Sequence, residues 1–150
     1  MTLHRRIFLQ GAVVSAAVTL ISPGALRALE DTSWQDWRDQ ILDGREPVDG
    51  GIELDLPNIA ENGAQVPLTV RIDSPMTADD HVTSIHIIPT RNPAPDIGTF
   101  RLTPHLARAE VMTRIRLAEE QEILVLAELS DGSVLSQAAH VTVSVGGCAT

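Results

Sequence analysis

The 150-residue sequence has no lysine and no tyrosine, a single cysteine, and aromatic residues at only 3%. Without lysine, all eleven basic residues are arginine, and they stand against twenty acids for a net charge of -9. Nucleic-acid and anionic-membrane surfaces are bound by clustered Lys and Arg that displace counterions, so an acidic, dispersed charge pattern excludes both as partners. One cysteine cannot form an internal disulfide or a thiolate metal site of several sulfurs. With few aromatics and 43% hydrophobic residues, the core must rest on Val, Ile, Leu and Ala, a composition that suits β structure. Nowhere does an apolar run reach the roughly 20 residues of a permanent membrane helix.

The N-terminus carries Arg5 and Arg6, then Phe8 and Leu9, then a weakly hydrophobic stretch from Gly11 to Ile21. This layout is that of a cleaved signal peptide. The arginine pair followed by Phe8 and Leu9 resembles the twin-arginine export signal, which carries folded proteins to the periplasm; an ordinary secretory signal with two incidental arginines is the alternative. Cleavage after Ser22-Pro23-Gly24 or at Ala28 would place the mature start near residues 25–30, and residues 1–28 are read as the signal. Loss of Arg5, Arg6 and Arg27 takes the net charge from -9 to -12.

The mature chain begins with one helical pattern. Trp34, Trp37, Ile41 and Leu42 recur at helical spacing between Asp36, Arg38 and Asp39, with Ser33 placed as an N-cap and Gly44 as a stop. The two tryptophans read as anchors of this helix rather than as a binding box. Residues 29–50 are therefore a helix and linker. From Ile52 the hydrophobic period changes to two, predicting about seven strands: Ile52–Leu56, Val66–Ile72, Val82–Ile88, Ile97–Leu102, Glu110–Leu117, Glu122–Leu129 and Val134–Val145. Asn62-Gly63 and Ser130-Asp131-Gly132-Ser133 are turn signals, and the stretch from Pro89 to Gly98 is a proline-rich loop. Short strands at this spacing predict an all-β fold over 51–145, an immunoglobulin-like antiparallel β-sandwich.

Chemistry concentrates at the C-terminus, where an alternating strand is followed by Gly146, Gly147, Cys148, Ala149 and Thr150. Glycine samples both signs of φ and is thin, so Gly146 and Gly147 read as the hinge of a flexible arm over 146–150. Three extended residues would carry the thiol about 10 Å beyond the sandwich. No basic residue neighbours Cys148 in sequence to lower its pKa from about 8.5, so a partner must supply activation. The plain alternatives are a buried cysteine acting as a small hydrophobe and a frayed tail; an exposed thiol in an oxidising compartment is a liability, which weighs against the second. His81, His86, His105 and His140 match no metal-ligand spacing, no cofactor motif is present, and no Ser, His, Asp set is recognisable.

Taken in order, residues 61–87 (ENGAQVPLTVRIDSPMTADDHVTSIHI), 92–100 (NPAPDIGTF), 109–133 (AEVMTRIRLAEEQEILVLAELSDGS) and the Gly146-Gly147-Cys148 arm resemble the SoxY family. The resemblance implies a carrier, not an enzyme, of the Sox system that oxidises thiosulfate and other reduced sulfur compounds. It implies an immunoglobulin-like sandwich, a SoxZ-like subunit as heterodimer partner, and covalent attachment of sulfur species to Cys148. The transient partners it implies are a c-type haem enzyme that couples thiosulfate to the thiol, a hydrolase that releases sulfate, and a sulfane dehydrogenase. The family arm commonly ends Gly-Gly-Cys-Gly-Gly, whereas Ala149 and Thr150 here are bulkier, and the β-branched Thr is stiffer. Two readings from other classes stand beside the carrier: an adhesive sandwich module joined by a disulfide-linked dimer through Cys148, and a thiol enzyme with Cys148 as nucleophile.

Overall fold

The structure, a computed structural model, describes residues 33–147. The export segment with Arg5, Arg6, Phe8 and Leu9, and the end of the chain from Cys148 onward, lie outside the described residues.

Helix α1 spans Trp34–Leu42. Its start is fixed by a capping box: Ser33 Oγ accepts from the Asp36 amide at 3.2 Å, and the Asp36 carboxylate accepts from the Ser33 amide at 3.3 Å. Asp43 then turns into the left-handed region at φ 46°, its N–H bonded to Asp39 O at 2.9 Å, and Gly44 follows at φ 77°. The helix ends there because the chain can no longer continue its hydrogen bonds in register.

Nine strands follow: β1 (Val48–Asp49), β2 (Ile52–Asp55), β3 (Ile59–Ala60), β4 (Val66–Ile72), β5 (Val82–Pro89), β6 (Gly98–Arg101), β7 (Ala109–Ile115), β8 (Gln121–Leu129) and β9 (Val134–Val143). One sheet has the order β1-β9-β8-β5-β6, with β3 also on β9; the other has the order β2-β4-β7. The seven strands read from the two-residue period are β2 and β4 to β9. The two that were not read, β1 and β3, are two residues each and so carry no periodic signal. Both pair with β9 in parallel, which departs from a wholly antiparallel sandwich. They cover the outer edge of β9, which would otherwise offer unpaired backbone groups.

The sheets face each other across a core of Val66, Leu68 and Val70 from one and Ile85, Ile87, Ile123, Val125 and Val141 from the other, all buried. Each such side chain contributes about 1.5–3 kcal/mol of burial. A second cluster lies on the opposite face of the six-stranded sheet, where Ile88, Leu126 and Val134 meet Leu42, with Trp34, Trp37 and Ile41 packed against them. The tryptophans are thus helix anchors, as their spacing implied. The two covers explain why β5 is buried along nearly its whole length although it alternates poorly. The β8–β9 turn forms where Gly132 adopts φ 87° and Leu129 N–H donates to Ser133 O at 2.9 Å.

Candidate functional site

The ends of β4, β7, β8 and β9 bring four chain segments together at one end of the sandwich: the 3-10 turn Gly63–Gln65, the start of the proline-rich loop, the β7–β8 connection, and the last residues before Cys148. There β9 is held along its outer edge by Thr142 N–H to Asn58 O and Ser144 N–H to Ala60 O, both 2.9 Å. The pairing continues beyond the strand. Gly63 N–H donates to Val145 O at 2.7 Å, Leu117 N–H donates to Gly63 O at 2.8 Å, and Gly147 N–H donates to Leu117 O at 2.8 Å.

These bonds require backbones to touch without side chains between them. A Cβ on Gly63 would overlap the Leu117 carbonyl oxygen and stand 2.7 Å from Gly147 N; one on Gly146 would overlap the Ala118 carbonyl; one on Gly147 would overlap Gly63 and Ala64. Gly146 and Gly147, expected to extend as a hinge, are therefore seated against the body of the sandwich in this structure. They need to be glycine for close approach, a reason distinct from the freedom of φ read from the sequence. Likewise Asn62-Gly63 does turn the chain, with Asn62 Oδ1 accepting from Ala64 N–H at 2.8 Å, but it does not join two paired strands as a hairpin. The chain crosses from β3 on one sheet to β4 on the other.

The seat is braced by side-chain amides. Gln121, 2% exposed, accepts from Arg91 N–H at 2.9 Å and donates to Asn92 Oδ1 at 2.9 Å. Asn92 in turn accepts from Ala118 N–H at 3.0 Å and donates to Arg116 O at 2.7 Å. The proline-rich loop is thereby fixed to residues 116–118, the segment that receives the arm. The sequence read Gly63 only as part of a turn and did not single out Asn92 or Gln121. The one available signal was Gln121, a polar residue at the position where an inward-facing strand residue was due. Nearby, Arg91 lies 3.8 Å from Glu119, and His140 Nε2 lies 3.0 Å from Glu120 Oε1.

The structure also joins residues that sequence spacing kept apart. Glu128 Oε2 accepts from Ser84 Oγ at 2.5 Å and lies 3.1 Å from His86 Nε2, while Arg45 Nη2 donates to Oε1 at 2.6 Å. Burial raises the Glu128 pKa, but the Ser84, Arg45 and His86 hydrogen bonds and the His86 charge outweigh it and bring the group to about 2. Ser84 donates to the carboxylate rather than to the imidazole, so no activated hydroxyl results and the arrangement is not a nucleophilic triad. Its role is mechanical: Arg45 also donates to Ile41 O and Leu42 O, tying the helix end to the sheet. Seven residue steps of β8 separate Glu128 from Gln121, about 23 Å along the strand. His81, His105 and His140 join no cluster; among the described residues no three His, Cys, Asp or Glu side chains stand together to hold a metal ion.

The family model described as "Sulfur oxidation protein SoxY" matches residues 38–148. Among solved structures, the chain is similar to the sulfur carrier protein SoxY from Chlorobium limicola f thiosulfatophilum, with 29% identity and a TM-score of 0.60, over 75% of this chain and 100% of that one. It is similar in fold to the superoxide reductase (neelaredoxin) of Ignicoccus hospitalis, with 12% identity and a TM-score of 0.56, over 63% of this chain and 80% of that one. The superoxide reductase of Nanoarchaeum equitans is likewise similar, with 6% identity and a TM-score of 0.55, over 64% of this chain and 100% of that one. At such identities these two show a shared sandwich alone, since activity resides in sites rather than folds. No curated protein matches the sequence significantly.

Proposed function

The chain belongs to the SoxY family of sulfur-oxidation carrier proteins, and from that premise we propose that it holds thiosulfate-derived sulfur on the thiol of Cys148 for the enzymes of the Sox system. The observation that carries this reading is that the family match runs from residue 38 to Cys148 itself, taking in the seated glycines and the only cysteine in the chain. A c-type haem partner joins the sulfane sulfur of thiosulfate to the cysteine sulfur. One S–S bond forms, the thiol proton leaves to solvent and two electrons pass to the haem partner. Hydrolysis of the outer S–S bond by a second partner releases sulfate and leaves a persulfide, which a sulfane dehydrogenase oxidises further. The carrier supplies attachment and presentation; its partners supply the catalysis.

A SoxZ-like subunit completes the carrier as a heterodimer. The twin-arginine pattern of Arg5, Arg6, Phe8 and Leu9 supports export of the folded complex to the periplasm, where these partners work. The test is intact-mass spectrometry of the mature chain with its SoxZ-like subunit after incubation with thiosulfate and the haem enzyme. A thiosulfate adduct on Cys148 is expected, with complete loss of adduct and of thiosulfate oxidation in Cys148→Ala. An unmodified Cys148, or turnover that survives Cys148→Ala, overturns the reading.

A further inference from the structure

The arginines of the sandwich fall into two groups. Within residues 33–147, the segment 97–118, which holds β6, β7 and their connection, has four arginines and one acid, Glu110; the rest has four arginines and seventeen acids. The four outside the segment, Arg38, Arg45, Arg71 and Arg91, each lie within 3.8 Å of a carboxylate oxygen. Arg101, Arg108, Arg114 and Arg116 are exposed and form no ion pair among the described residues; Arg114 Nη1 donates to the neutral Gln65 Oε1 at 3.2 Å.

This second group stands where the fold is open. β6 ends one sheet and β7 ends the other, and the two edges flank one cleft, with Phe100 on one side and Thr113 and Arg114 on the other. Among the described residues β7 pairs with β4 alone, so one side of its seven-residue backbone is without a neighbouring strand. Met112, Arg114 and Arg116 follow at a spacing of two on its outward face, and Met112 is 75% exposed. At the far end of the same sheet, β2 is four residues long and carries the exposed acids Glu53 and Asp55. Short, charged edges resist pairing, whereas a long edge with an apolar side chain at its centre invites a partner strand.

We propose that β7 is the docking edge for a different protein chain, which adds to it an extended strand with acidic side chains facing Arg114 and Arg116 and an apolar one against Met112. Resting on the carrier reading above, that chain is the SoxZ-like subunit. A second copy of this chain does not fit, because β7 against β7 would oppose like guanidiniums. The same arginines thus bar self-pairing and admit an acidic strand. A polyanion does not fit either, since the seventeen acids elsewhere repel it. An edge left open is an aggregation hazard, so a subunit that stays bound suits it better than enzymes that come and go.

Two measurements on the mature chain with its SoxZ-like subunit test this. In hydrogen exchange read by mass spectrometry, residues 109–116 should exchange about tenfold or more slower in the complex than in the chain alone, with residues 52–55 unchanged. In titration calorimetry, the double variant Arg114→Glu, Arg116→Glu and, separately, Met112→Asp should each weaken binding about tenfold or more while keeping the wild-type melting temperature. Val48→Asp alters another exposed apolar residue, on the opposite edge of the six-stranded sheet, and should bind as the wild type does. Unchanged affinity in both β7 variants, protection confined to another edge, or no complex with the wild type overturns the proposal. So does a chain that self-associates in sedimentation and becomes monomeric on Met112→Asp. None of these readings involves thiosulfate, so the docking edge can fail while sulfur loading of Cys148 stands, and the reverse.

Discussion

Helix α1 and the stretch Ser144–Gly147 are both fastened to the sandwich, but by different means. The helix is held by side chains: Leu42 buried with Ile88, Leu126 and Val134, and Arg45 bridging the last helical carbonyls to Glu128. The arm root is held by backbone groups at glycines, with no ion pair and no buried side chain of its own at 146 and 147. Detaching the helix would expose apolar surface and leave Glu128 without its guanidinium, which is costly. Detaching the arm root exposes only peptide groups that water can satisfy. The two fastenings thus differ less in the number of contacts than in what those contacts leave behind when broken.

Breaking the helix side should have the largest effect. Leu126→Ala removes the side chain beneath α1 and should cost about 2–5 kcal/mol, measured by urea unfolding, while the protection of the Gly147 amide in the surviving native state is unchanged. Glu128→Gln comes next, because it leaves the Arg45 guanidinium without its charge partner; a loss of about 1–3 kcal/mol is expected by the same measurement. The ionised Glu128 sharpens the contrast with pH. Its folded pKa of about 2 lies below the ordinary 4.5, so its contribution is complete above pH 4.5 and lost as pH falls toward 2. With solvent screening of a partly exposed group, that part of the stability is about 1–2 kcal/mol. Thermal unfolding across this window should show the loss in the wild type and a smaller one in Glu128→Gln, while the backbone bonds of the arm root, which carry no titrating group, should not respond. The smallest effect is expected of Ser33→Ala, which opens the capping box at about 1 kcal/mol.

Legibility follows the same division. The period-two pattern located seven strands, and the capping signal at Ser33 and the spacing of Trp34 and Trp37 located the helix, because these are repeated burial choices along a continuous segment. β1 and β3 escaped because two residues hold no period and their pairing depends on where β9 runs. Nothing in the sequence singles out Glu128, because its partners Arg45 and Ser84 are 83 and 44 residues away. Gly63 and Gly147 were visible as glycines, but sequence offers the same symbol for a turn, a hinge and a contact without room for Cβ.

By itself the sequence determined the all-β class, the helix and its stop, the SoxY family, and the lone cysteine behind two glycines. Each of these is carried by local periodicity or by residues in fixed order. Only the tertiary structure decided that β9 is edged by parallel strands, that Glu128 is spent on holding the helix, and that the two glycines before the thiol are interlocked with Gly63, because each depends on which distant backbones the folded sheets bring into contact.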